Sequence, residues 1–132
     1  LEMENGVTGT FSVNGDSIIN DQANFTIYGK KGIIKIPDPN NFGGKVVYIP
    51  AQNGFGKNME PQILDYGFPY GENSRGLGPS EMADANIKGR KHRANEQMAC
   101  HVLEVIDCIM ESGKKGAFVT VTSSCERPEK MN

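Results

Sequence analysis

Two periodicities divide this chain, and their order constrains the fold more than any other feature. Through about residue 66, apolar residues alternate and are broken by Asn-Gly, Gly-Lys-Lys-Gly and Pro-Asp-Pro turns. From Pro79 to Gly113 the spacing becomes helical. Strands and helices that occupy separate stretches, instead of alternating, predict an α+β domain with an open, largely antiparallel sheet and two main helices packed on one face.

The turn chemistry places the strands. Asn5-Gly6 lies between alternating runs, and both residues tolerate positive φ, so a hairpin is expected there. Val7, Phe11 and Val13 then share one face at period two, and Asn14-Gly15 marks the next turn. Residues 23–28 and 32–36 form a second hairpin around Gly29-Lys30-Lys31-Gly32. Pro37-Asp38-Pro39 stops it, because proline cannot donate to the ladder. Further strands are expected over 45–49, 61–66 and 117–122.

Pro79 suits a first helical position, giving a helix to about Lys88 that ends at Gly89. A longer helix starts near the cap Asn95 and ends at Gly113. Met98, Val102, Val105, Ile106 and Ile109 form its apolar stripe, with Cys100, Glu104, Asp107 and Glu111 opposite.

The 132 residues fit a single domain, 1–132, with 37% apolar and 23% charged residues and a net charge of −2. That balance supplies no general basic field for nucleic acid or for a membrane surface. No apolar run approaches the roughly 18 residues a bilayer span needs. Cys100, Cys108 and Cys125 form no CxxC pair, which is simplest to place in a reducing, cytoplasmic setting. Strand pattern begins at residue 1, so the chain is expected to be part of a longer protein.

Catalytic signatures are wanting. Gly54-Phe55-Gly56 and Gly76-Leu77-Gly78 each lack the third glycine of a dinucleotide fingerprint, and neither opens a βαβ unit. There is no GxSxG and no HExxH. No catalytic, cofactor-binding or metal-ligating residue is assigned. Arg75 could hold a sugar hydroxyl or carboxylate, or pin its own loop by bonding backbone carbonyls. The basic run 88–93 could meet phosphate, or form a solvated turn between helices. His101, Glu104 and Cys108 share one helix edge, either as metal ligands or with the histidine bonded to a neighbouring element.

Several stretches taken in order carry a resemblance: LEMENGVTGTFSV, FTIYGKKGIIKIPDPNNFGG, ENSRGLGPSEMADAN, GRKHRANEQMACHVLEVIDCIMESGKKG and the VTVTSSCERP tail. Together they resemble the later part of the C-terminal domain of the Gfo/Idh/MocA oxidoreductases. The resemblance implies a parent enzyme with an N-terminal Rossmann domain, absent from these residues, that binds NAD or NADP. It implies hydride transfer at a carbinol of a sugar, inositol or related polyol. It implies a sheet that joins subunits into a homo-oligomer. No catalytic position of the family falls in this stretch. Asn73, Arg75, His92 and Arg93 match recurrent positions, and the resemblance places them on the substrate side or at the domain junction.

Overall fold

A computed structural model describes residues 1–16, 25–51, 60–65, 67, 70–72 and 74–131. Its centre is a four-stranded antiparallel sheet, β1 (Phe25–Gly29), β2 (Gly32–Ile36), β3 (Val46–Pro50) and β4 (Gln62–Leu64), in that spatial order. Two helices follow, α1 (Leu77–Ile87) and α2 (Glu96–Lys115). The class is α+β. The first half holds the strands and the second the helices, as the change of period predicts.

The β1–β2 hairpin closes with Gly29 opposite Gly32 and Lys30-Lys31 between them. Tyr48 on β3 adds a clamp, donating its hydroxyl to the Lys31 carbonyl at 2.8 Å. Beyond β2 the prolines act as expected. Asp38 accepts from the Asn40 amide and caps one 3-10 turn over Pro39–Asn41. Paired residues share a sheet face, so Phe25, Ile27, Ile34, Ile36, Tyr48 and Leu64 line one side.

The N-terminal hairpin differs from expectation. The Asn5-Gly6 turn does close a short hairpin, through the Met3–Val7 backbone bond at 2.8 Å, a Glu2–Thr8 bridge and a Leu1–Gly9 pair at 2.9 Å, but the pairing does not extend to Phe11 or Val13 among the described residues. Val7 and Phe11 stay exposed and join no described strand. Residues 117–122 are also no strand, because their described polar partners are side chains of α2.

Helix boundaries shift for local reasons. α1 begins at Leu77, two residues before Pro79, and proline still falls among the first amides that have no intrahelical acceptor. Asn95 caps α2, accepting from the Met98 amide at 3.0 Å. Glu96 in the first turn and Lys114 and Lys115 in the last suit the helix dipole. The helix runs through Gly113 and stops at Gly116, whose φ of 63° lets its amide reach the Ser112 carbonyl. Gly113 weakens a helix without ending it; only Gly116 adopts the left-handed turn that does.

The fold leaves much apolar surface uncovered. Ala85 is the single fully buried hydrophobic residue among those described. The chain exposes 11481 Å², against roughly 6,800 Å² for a compact monomer of this mass. Extensive contact between elements runs only between neighbouring strands among the described residues. On α2, Val102 is 50% and Ile106 47% exposed, while Met98 and Val105 of the same stripe are half-buried.

Candidate functional site

Three polar clusters organise the chain beyond the sheet. The first is a corner where the turn after β2 meets the loop before α1. Arg75 donates from Nη2 to the Asn40 carbonyl at 3.2 Å and to Asn40 Oδ1 at 3.0 Å. Its guanidinium also lies 5.5 Å from the centre of the Phe42 ring, in cation–π range. Beneath it the backbones of Gly43 and Gly71 touch, so closely that a side chain at Gly43 has no room. The carbonyl-pinning role read from the sequence is therefore the one seen, with the pinned segment 35 residues away instead of in the same loop.

The second cluster centres on Glu81 of α1. Its carboxylate accepts from Arg90 Nη1 at 2.6 Å, Arg93 Nη1 at 2.7 Å and the Arg93 amide at 3.1 Å. The Arg90 hydrogen bond, followed by the Arg93 amide, holds the Glu81 carboxyl below its ordinary range. Asp84 is lowered as well, first by Lys88 and then by Arg90. Arg90 is raised in return, chiefly by Glu81. Arg93 extends the cluster to the C-terminal segment, donating to the carbonyls of Glu129 at 2.8 Å and Lys130 at 3.1 Å. The basic run is thus more than a solvated turn: its arginines tie α1 to the end of the chain. His92 beside it lines an open hollow of about 500 Å³ with Pro79, Met82, Asn86 and Arg90.

The third cluster joins α2 to the extended segment after it. His101 Nδ1 lies 2.9 Å from Ser123 Oγ. The Glu104 carboxylate accepts from the Thr122 amide and hydroxyl, both at 2.7 Å, and from the Ser123 amide at 2.9 Å. The Ser123 hydroxyl beside the carboxylate, followed by these three bonds, pulls the Glu104 pKa down to about 2. Because the docked carboxyl is more acidic than a free one, its contribution is complete above about pH 4.5 and is lost as pH falls through about 2. In an NMR titration the Thr122 and Ser123 amide shifts should move with an apparent pKa near 2, and Glu104→Gln should abolish that step. A midpoint at the ordinary value near 4.5 would contradict the contact.

The residues matched by resemblance are not gathered into one cleft. Arg75 belongs to the glycine corner, Arg93 to the Glu81 cluster and His92 to the adjacent hollow. Asn73 lies outside the described residues. Sequence reasoning missed Asn40 and Glu81, both central here.

No protein-family model, curated protein or solved structure matches the chain. Among the described residues no group of three or more His, Cys, Asp or Glu side chains is placed to hold a metal ion. No described helix is long and apolar enough to cross a membrane.

Proposed function

We propose that this chain forms part of the C-terminal domain of an NAD(P)-dependent oxidoreductase acting on a sugar, inositol or related polyol in the cytoplasm. In that reading it supplies a sheet scaffold, part of the substrate-side wall and a subunit interface. NAD or NADP carries the hydride and binds elsewhere in the parent protein. One observation supports this most. Two of the stretches that carry the resemblance, the one ending PDPNNFGG and the one opening ENSRG, meet in space through Arg75 and Asn40. An order of motifs along a chain carries more weight when those motifs also form one corner.

The division of labour has a direct test. Calorimetry on this chain should detect no binding of NAD or NADP, and micromolar affinity for either would overturn the reading. The substrate side is tested separately, by thermal-shift measurements with a panel of sugars and polyols on wild type and Arg75→Ala. A polyol should stabilise the former only.

A second reading is favoured by the exposed surface. The exposed part of the α2 stripe and the apolar sheet face equally suit a non-catalytic assembly module. The transcript upstream of Leu1 separates the two: a dinucleotide fingerprint there supports the enzyme, and a frame that opens without one supports the assembly module.

A further inference from the structure

We propose that Cys100 and Cys125 form a reversible intramolecular disulfide that clasps the C-terminal segment to α2. Both sulfurs are free, and both residues line an open hollow of about 490 Å³ with Gln97, Ser123 and Ser124.

The register of the segment brings them together. Cys108 Sγ reaches the Thr120 carbonyl, Glu104 holds Thr122, and His101 holds Ser123. Numbers fall along the helix as they rise along the segment, so the two run antiparallel. Exposure of the segment alternates: Val119, Val121, Ser123 and Cys125 are partly covered, while Thr120, Thr122, Ser124 and Glu126 are open. Cys125 shares the partly covered side of the segment with Ser123, and it lines the same hollow as Ser123 and Cys100. That register carries Cys125 past His101 toward Gln97, and Cys100 lines the same hollow from the adjacent helix position. Residues 124–128 make no hydrogen bond to other described residues before Arg93 grips the Glu129 and Lys130 carbonyls. That slack permits the Cα separation of about 4.4–6.8 Å that a disulfide requires.

The third thiol is set apart by its surroundings. Partial burial, followed by the charges of Glu104, Glu111 and Asp107, pushes the Cys108 thiol up and keeps it protonated. Thiols react as thiolates, so these surroundings disfavour Cys108 as a nucleophile.

A hydroperoxide supplies the oxidant. The exposed Cys100 sulfur attacks the peroxide O–O bond. An S–O bond forms, the O–O bond breaks, one water leaves with hydrogen peroxide as the oxidant, and Cys100 becomes a sulfenic acid. The Cys125 sulfur then attacks the Cys100 sulfur. The S–S bond forms, the S–O bond breaks, and the oxygen departs as a second water. Two thiols lose two electrons and the peroxide gains them. A dithiol reductant reverses the clasp by exchange.

The test treats the full chain with stoichiometric hydrogen peroxide, caps free thiols and maps peptides without reduction. A Cys100–Cys125 linked peptide with alkylated Cys108 is expected, and dithiothreitol should erase the link. In Cys125→Ser, Cys100 should remain a sulfenic acid that dimedone traps. Glu104→Gln, which loosens the segment, should slow closure about tenfold by lowering the effective concentration of Cys125 at Cys100. A major link through Cys108, purely intermolecular disulfides, or a Glu104→Gln rate equal to wild type would each overturn the clasp.

Discussion

Alanine at Gly43 should break the corner that seats Arg75. A β-carbon there would stand 2.0 Å from the Gly71 carbonyl oxygen and 2.7 Å from the Gly71 carbonyl carbon and Cα. All three are backbone atoms, so no flexible side chain can yield. The loop before α1 must move away from the turn after β2 by more than an ångström. Overpacking of this kind costs about 1–3 kcal/mol. The Arg75 bonds to Asn40 span the same gap and should be lost with it. A fall in melting temperature of about 5 °C or more is expected by circular dichroism. Gly76→Ala is the control. It lies beside Arg75 with φ of −76°, and nothing stands within 4 Å of its added carbon. Its effect should stay within about 0.5 kcal/mol. Equal melting of the two variants would show that the corner does not hold the fold.

What could be read from the residues was what local chemistry decides. The Lys30-Lys31 loop, the Pro37-Asp38-Pro39 stop and the Asn95 cap each act within a few residues, and each is where the pattern put it. Errors came where two local rules competed or a distant partner decided. Gly113 and Gly116 are both plausible helix stops, and only the latter takes the left-handed conformation. Residues 117–122 have strand composition, yet Glu104 takes the Thr122 amide and the next one along, that of Ser123. β-propensity describes an extended chain and does not name its neighbour. The polar clusters show the same limit. That Arg75 pins backbone was legible from the needs of a long loop; that Asn40 receives it was not. Glu81 was passed over because one glutamate on a helix has no pattern, and its partner Arg93 lies 12 residues on. The α2 stripe was legible as apolar, but periodicity alone cannot say that the edge of His101, Glu104 and Cys108 is the one the C-terminal segment meets.

The exposed surface leads to the second large effect: the chain should self-associate, and the sheet should be the interface. At 11481 Å², the exposed area exceeds that of a compact monomer of this size by several thousand Å². A standard interface buries only about 1,600 Å² in total, so a dimer is well within what this surface can supply. Phe25, Ile27 and Leu64 lie exposed on one sheet face, 54%, 47% and 38% accessible. They flank Ile34 and Tyr48 on the inner strands, so the apolar patch is continuous. Among the described residues β1 and β4 are the edges of the sheet, and an edge strand favours a neighbouring strand. Sedimentation at tens of micromolar should therefore give a dimer or larger species. Each buried large apolar side chain contributes about 1.5–3 kcal/mol. Losing two of them, in Phe25→Glu with Ile27→Glu, should weaken association at least about a hundredfold. The matching helix variant, Val102→Glu with Ile106→Glu, tests the rival surface. If it releases monomers and the sheet variant does not, α2 is the interface; if wild type sediments as a monomer, neither face serves this purpose. A sheet-led result is expected because its patch draws on several strands that already hold one another in register, whereas the α2 stripe stands on a single helix. Rigid surfaces lose less entropy on docking, so equal apolar area on the sheet gives tighter association.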